Sequence, residues 1–347
     1  MLFQSSSKAV SGVPVLSVFH QYLNAPFRYH DPRYPEAVAS GYGILQPRGT
    51  GSPLPGANKL SDNSQTRRLI INADDFGLTE GVNASILELA AAGALTSATL
   101  MATGGAFAHA VPGACARQNP GIGCHLVFVD GHPAAAPGQI PSLLTGDDQF
   151  RPTLGTFVRD LLFGRIRERE IETEACAQIE RLQRAGIAVT HVDTHKHTHM
   201  FPAVLRPLLR AARQCGVSSV RNPFEPEWAV RNTPGAPVLR RLEVRVLRSQ
   251  KAEFHRLVRQ TGLATTDGAV GVLATGTLDS QTLTQLAAAM PNGTWELVCH
   301  PGYNDAALAA VKTRLRESRA VEHSALLAVI PKLSGVEKIH FGALSSL

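Results

Sequence analysis

The sequence predicts an α/β fold, a parallel sheet assembled from βα units. Two observations carry this expectation. From Arg67 onward, seven short runs rich in apolar and β-branched residues alternate with amphipathic stretches of helical period. Those runs also end repeatedly in ionisable residues, as in parallel barrels, whose catalytic groups gather at the carboxyl ends of the strands.

The strand candidates are RLIINA (68–73), TSATLMA (96–102), GIGCHLVF (121–128), VTHVDTH (189–195), SSVRNP (218–223), AVGVLAT (269–275) and WELVCHPG (295–302). The stretches between them carry helix signals. In TEGVNASILELAAAG, Thr79 can cap, Val82, Ile86 and Leu89 share a face, and Gly93 can terminate. In IETEACAQIERLQRAG, Ile171, Ala175, Ile179 and Leu182 form an apolar stripe that stops at Gly186. PAVLRPLLRAARQCG opens with Pro202 at a favoured first-turn position and ends at Gly216; Pro207 inside it predicts an early break or kink.

Residues 1–65 are rich in Ser, Gly and Pro without sustained periodicity, and predict a flexible, poorly ordered extension ahead of a domain spanning 66–347. The apolar stretch from Ala9 to Phe19 follows Lys8, but Gly and Pro interrupt it and no small-residue cleavage site follows. With no run of about 20 apolar residues, no transmembrane segment is expected. Five scattered cysteines without a CxxC pair argue against a disulfide framework and for a reducing, cytoplasmic setting. The formal charge of +6 is concentrated in residues 239–260, with seven Arg or Lys against two Glu. That stretch reads either as a solvated helix face or as a surface for peripheral contact with anionic lipid. Nucleic acid is not an expected partner, because neither interleaved aromatic residues nor a known binding motif is present. A homodimer stays open.

Four stretches carry chemistry. NADDFG (72–77) places Asp74 and Asp75 side by side at a strand end, where one carboxylate can bind a metal and the other accept a proton; a plain turn is the alternative. His125 lies in the apolar run GIGCHLVF, either as a hydrogen-bonded core residue or as a ligand, with Cys124 facing the opposite side. HVDTHKHTHMFP (191–202) holds four histidines and an aspartate. While extended, His191, Asp193, His195, His197 and His199 share one face, but residues two apart lie about 7 Å apart, so they converge on one ion only if the chain bends. His300 precedes Pro301 and Gly302, which places it at a strand mouth, suited to acid or base work because its ordinary pKa is near neutrality. One carboxylate and two imidazoles make a three-ligand site with positions left for water and substrate, and a free Asp and a free His remain as an acid/base pair. This is equipment for metal-assisted hydrolysis.

NADDFG, the TSATLM strand, GxHL, HxDxHxHxHMFP and the late HPG together resemble the YdjC-like family of carbohydrate deacetylases, which includes chitooligosaccharide and hopanoid-associated deacetylases. The resemblance runs from about residue 67 to the C-terminus. It implies a distorted, incomplete (β/α) barrel of about seven parallel strands, related to NodB-type polysaccharide deacetylases. It also implies Asp75, His125 and His195 as ligands of a divalent ion, Mg²⁺ or Zn²⁺, with Asp74 as base and His300 as acid. The expected reaction is hydrolysis of an N-acetyl group on an amino sugar, in an N-acetylated carbohydrate or a glycolipid. Arg221, His197 and His199 would contact substrate or steady the base and the metal shell, while Arg319 and Glu322 read as structural partners on a C-terminal helix. The family's usual GLHL reads GCHL here, and the N-terminal extension lies outside the resemblance. VFVDGHPAAAPGQIPSL after His125 is similar to the hopanoid-associated branch. Two alternatives stand beside this reading. Amidohydrolase-type barrels also use an HxH pair, but theirs closes the first strand and their key Asp comes last. A non-catalytic carbohydrate- or metal-binding protein is the other, against which the intact Asp74 and His300 speak.

Overall fold

The computed structural model describes residues 66–116, 120–235 and 248–346. Residues 1–65, and with them the expected extension, lie outside the described residues, as does the first part of the basic stretch at 239–260.

The architecture is a curled half-barrel of parallel strands. In chain order it runs β1 (Arg67–Phe76), α1 (Glu80–Ala91), β2 (Ser97–Leu100), α2 (Phe107–Cys115) and β3 (Gly121–Leu126). There follow α3 (Leu154–Leu162), α4 (Glu168–Arg184), β4 (His191–Thr194), α5 (Pro202–Gln214), β5 (Ser219–Val220), α6 (Glu227–Arg231) and α7 (Lys251–Thr261). The chain closes with β6 (Gly268–Val270), α8 (Ser280–Ala289), β7 (Gly293–Cys299), α9 (Ala306–Ala310), α10 (Glu317–Val329) and β8 (Glu337–Lys338). Among the described residues these strands pair in parallel, in the order β5-β4-β3-β2-β1-β7-β6. β1 is central: β7 pairs with Arg67–Ala73 on one edge, while β8 and β2 divide the other edge at Arg68–Leu69 and Asn72–Phe76.

All seven expected strands form. The sixth is cut to Gly268–Val270, and the chain turns at Gly271, whose N–H is taken by the buried carboxylate of Glu225 instead of a strand neighbour. The eighth, two exposed residues, has too little apolar pattern to be read in advance. The cap of α1 forms as expected, with Thr79 Oγ1 accepting the Val82 N–H at 3.2 Å. Gly93, Gly186 and Gly216 end their helices in the left-handed region. The expected break at Pro207 does not occur, and α5 runs unbroken from Pro202 to Gln214. Pro207 sits in the second turn, so its missing N–H costs only the bond to the Ala203 carbonyl, close to the helix start. The rest of the apolar stripe, including Leu205, Leu208 and Leu209, is buried and holds the helix down.

β1 is buried on both faces, as a covered parallel strand should be. Leu69, Ile71 and Ala73 face the helices in the main core, whereas Ile70 packs inside the barrel with Phe341 and Leu344. The interior becomes polar above this plug. The His191 ring stacks on Phe341 with centroids 3.8 Å apart, and its Nε2 lies 3.2 Å from Asn72 Oδ1. Gly123 on β3 makes room for that ring, since a Cβ there would come within 2.4 Å of His191 Cε1.

Gly123→Ala is therefore expected to destabilise the fold by about 1–3 kcal/mol through overpacking. Urea unfolding at neutral pH measures this, and an unchanged midpoint would show that the His191 layer can give way.

Candidate functional site

The ends of β1, β3, β4 and β7, and the residue after β5, place ionisable side chains in the barrel mouth. Arg221 lies deepest and is fully buried. Its Nη1 and Nη2 donate to Asp74 Oδ2 and Oδ1 at 2.8 and 2.6 Å, and its Nε donates to Glu296 Oε1 at 2.8 Å. Asp193 also pairs with the Nη1 end of the same guanidinium. Asp74 Oδ1 takes two more donors, Asn72 Nδ2 at 2.9 Å and Thr99 Oγ1 at 3.0 Å. Burial alone would raise the Asp74 pKa, but Arg221 beside it holds the carboxyl far below the usual range, so Asp74 is ionised at any working pH. Glu296 is pushed up to about 7 by burial, in spite of its bond to Arg221.

Asp75 turns the other way. Its backbone is left-handed (φ 66°), so the two adjacent carboxylates diverge. Oδ2 accepts Arg319 Nη2 at 2.5 Å. Oδ1 is buried, has no hydrogen-bond donor, and lies 3.5 Å from His125 Nε2 and 3.4 Å from His195 Nδ1. Those two nitrogens are 3.4 Å apart. Burial would raise Asp75 as well, yet Arg319 first and His195 next keep it well below its ordinary value.

His195 reaches this triangle because the strand stops. β4 ends at Thr194, and Lys196 and His197 adopt left-handed φ of 57° and 51°. Thr194 Oγ1 accepts the His199 N–H at 3.1 Å and closes the turn. The shared face expected for an extended tract is thus lost after His195. His199 is buried with its Nδ1 2.7 Å from Thr194 Oγ1, and His197 is half-buried with its ring centroid 6.3 Å from that of His199. Neither belongs to the triangle. Burial lowers His197 to about 3, and His199 also falls well below its ordinary value. Four of the five non-glycine residues with positive φ among the described residues are Asp75, Asp130, Lys196 and His197, and Lys196 Nζ reaches Asp130 Oδ2 at 3.1 Å. Backbone strain costs about 1–3 kcal/mol per residue and persists where surrounding structure enforces it.

A small divalent cation fits this triangle. Three acceptor atoms 3.4–3.5 Å apart repel one another unless a proton or a cation lies among them. Tetrahedral ligands with bonds of ~2.1 Å stand ~3.4 Å apart, which is the spacing found. His125 Nδ1 lies 2.9 Å from Asp193 Oδ1, an arrangement that puts the ring proton on Nδ1 and the Nε2 lone pair toward the triangle. Burial pulls the His125 pKa down, but Asp193, Asp74 and Asp75 outweigh it and raise it to about 9, so any cation would have to compete with a proton for Nε2. Asp74, His125 and Asp193 form a second close group, but Arg221 already supplies the positive charge to its carboxylates.

His300 follows β7. Its Nε2 is 3.8 Å from Asp74 Oδ2, its backbone N–H donates to Glu322 Oε2 at 2.5 Å, and burial lowers its imidazole to about 4. Arg319 and Glu322, expected as structural partners, therefore touch the site directly. Glu296 was signalled only by being an acid inside an apolar strand; nothing in the local sequence distinguishes Arg319 or Glu322 from surface helix residues.

A profile of the family described as YdjC-like protein matches residues 68–331. A carbohydrate deacetylase of Brevibacillus brevis is 42% identical over 159 residues, 45% of this chain and 60% of that protein. A carbohydrate deacetylase of Geobacillus stearothermophilus is 43% identical over 138 residues, 40% of this chain and 53% of that one. The chain thus spans between half and two thirds of these two relatives. A chitooligosaccharide deacetylase of Serratia marcescens matches more completely, at 31% identity over 276 residues, 78% of this chain and 94% of the relative. Among solved structures, an Enterococcus faecalis protein described as a cellobiose-phosphate cleavage protein has a TM-score of 0.63 over 81% of this chain and 99% of its own. At 22% identity that likeness concerns the fold alone.

Removing Arg221 would leave the three carboxyl groups of Asp74, Asp193 and Glu296 with only the His125 imidazole beside them as a counter-charge. Their native pKa values would then exceed the unfolded ones, the native state would bind more protons, and stability would rise as pH falls. Arg221→Met is expected to cost about 3–5 kcal/mol at pH 7. Its gap from wild type should narrow between pH 7 and 5 in urea titrations; a gap that stays constant would contradict the charge argument. The wild type runs the opposite way through His300, whose depressed pKa makes the native state lose stability as pH falls from about 6.5 toward 4. Because Glu296, raised to about 7, acts in the opposite sense over the same window, the difference between the unfolding curves of chelator-treated wild type and His300→Gln at pH 7, 6 and 5 measures that contribution.

Proposed function

Because the chain belongs, across residues 68–331, to the YdjC-like protein family, we propose that it hydrolyses the N-acetyl group of an amino sugar in a metal-dependent reaction. The observation that carries this reading is the pairing of two units in one barrel mouth. One is the Asp75–His125–His195 triangle, and the other is the Asp74–His300 pair with Nε2 and Oδ2 3.8 Å apart. The deacetylase names of the relatives support the substrate class.

Asp75 Oδ1, His125 Nε2 and His195 Nδ1 would hold the divalent ion. When bound, such an ion supplies Lewis-acid polarisation of the acetamide carbonyl and acidifies water. The triangle's edges suit a tetrahedral ion better than an octahedral one, whose ligands at ~2.1 Å would stand ~3.0 Å apart. This favours Zn²⁺ over Mg²⁺.

The chain's own groups move the protons. Asp74 is fixed by the Arg221 fork, Asn72 and Thr99, and its Oδ2 faces His300. It accepts the proton of the water that adds to the acetyl carbon. A carboxylate so strongly stabilised by Arg221 is a weak base and keeps a proton poorly, so the proton passes onward. His300 is the acceptor within reach; its imidazole is neutral at pH 7, and once protonated it is a strong enough acid to give the proton to the departing amine. The new bond joins water oxygen to the acetyl carbon, the C–N bond breaks, and acetate and a free amino sugar leave. His197, close enough to Asp74 and His300 to feel their charges, would meet sugar hydroxyls.

Acetate release from a panel of N-acetylated oligosaccharides and glycolipids tests this. Asp74→Asn and His300→Gln should each lower kcat by about 10²–10⁴-fold while the chain stays folded by circular dichroism. Equal rates in wild type and Asp74→Asn would remove Asp74 from the mechanism. Chelator should abolish acetate release and added Zn²⁺ restore it; full activity after exhaustive chelation would sink metal dependence.

A further inference from the structure

Helix α10 lies outside the sheet, yet it touches both halves of the site. Arg319 is buried, and all three of its guanidinium nitrogens have acceptors. Nε donates to the Leu315 carbonyl at 3.0 Å, Nη1 to the His300 carbonyl at 3.4 Å, and Nη2 to Asp75 Oδ2 at 2.5 Å. One turn on, Glu322 accepts the His300 N–H at 2.5 Å and the Gly276 N–H at 3.4 Å. His300 is therefore gripped by its carbonyl and its amide from one face of one helix. Gly302 makes the approach possible: a Cβ there would lie 3.0 Å from Arg319 Cδ and 3.0 Å from Val82 Cγ2, and its N–H donates to the Arg319 carbonyl at 3.3 Å.

We propose that Arg319 is a positioning residue that sets how Asp75 meets its ion. By capping Oδ2 it leaves Oδ1 as the single carboxylate donor, and through the His300 carbonyl it fixes the ion-binding half against the proton-transfer half. This rests on the ion-binding reading above. A one-oxygen carboxylate with two imidazoles suits a small four-coordinate ion, whereas larger oxygen-seeking ions such as Ca²⁺ take carboxylates by both oxygens. Arg319 is in this view a selectivity device. A purely electrostatic part for its positive charge would act differently, opposing every divalent ion alike.

The two cases separate by substitution. Zn²⁺ and Ca²⁺ affinities are read by competition with a chromophoric chelator, on the full chain first stripped of metal. Arg319→Lys keeps the charge and loses the planar fork; Arg319→Gln loses both. Positioning predicts roughly tenfold or more weaker Zn²⁺ binding in both variants, with a lower ratio of Zn²⁺ to Ca²⁺ affinity. Glu322→Gln, which grips His300 but not Asp75, should leave Zn²⁺ affinity within about twofold while lowering kcat. Should an Arg319 variant fail to fold, Gly302→Ala displaces the same side chain without removing it and should also weaken Zn²⁺. Wild-type Zn²⁺ affinity in Arg319→Lys, or tighter binding of both ions in Arg319→Gln, overturns the proposal alone. A wild-type chain that binds neither Zn²⁺ nor Mg²⁺ overturns the ion-binding reading, and this proposal with it.

Discussion

The buried guanidinium of Arg221 is the constraint on which the site depends. Asp74, Asp193 and Glu296 could not be packed into one barrel interior without it, since uncompensated buried carboxylates are costly or take up protons. Its effect extends beyond its own contacts. Arg221 holds Asp193, Asp193 holds His125 through Nδ1, and His125 is thereby turned so that Nε2 faces Asp75 and His195. The same cation fixes both oxygens of Asp74. The orientations of the His125 imidazole and of the Asp74 carboxylate thus share one anchor.

The interior of the half-barrel is graded. Ile70, Phe341 and Leu344 close the bottom, His191 stacked on Phe341 begins the polar region, the Arg221 cluster lies above, and the triangle with His300 opens at the mouth. Charge is admitted only where strand ends bring enough donors and acceptors together to satisfy it. The strand order reverses at β1, with β2 to β5 on one side and β7 and β6 on the other. Sites of open parallel sheets lie beyond the carboxyl ends of strands at such a reversal, and Asp74 and Asp75 are on that strand.

Much of this was legible in the sequence because strands and helices leave short-range periodic traces. The seven strands, the Thr79 cap and the glycine stops depend on residues within a few positions of one another. That Asp74 and Asp75 could serve different functions was readable from their adjacency at a strand end, but their divergence comes from the left-handed backbone of Asp75. A break at Pro207 was expected and does not form, because local propensity cannot weigh the packing of the helix face around it. That the histidine tract must bend for its side chains to converge was readable from strand spacing, but where it bends was not, because the Thr194 hydroxyl that closes the turn looks, in sequence, like any other strand threonine. Glu225 shortened β6 from more than forty residues away, beyond any local window.

By itself the sequence determined the residue types of the site and the strand ends that carry them: Asp74 and Asp75, His125, His195 and His300. Tertiary structure decided which atoms face one another. The pairing of Arg319 with Asp75 spans 244 positions and that of Arg221 with Asp74 spans 147, and both pairs form only when the sheet curls and α10 docks. The reason is physical. Local sequence sets backbone preference over a few residues, whereas the partner of a buried charge is set by whichever distant group the folded chain brings within hydrogen-bonding reach.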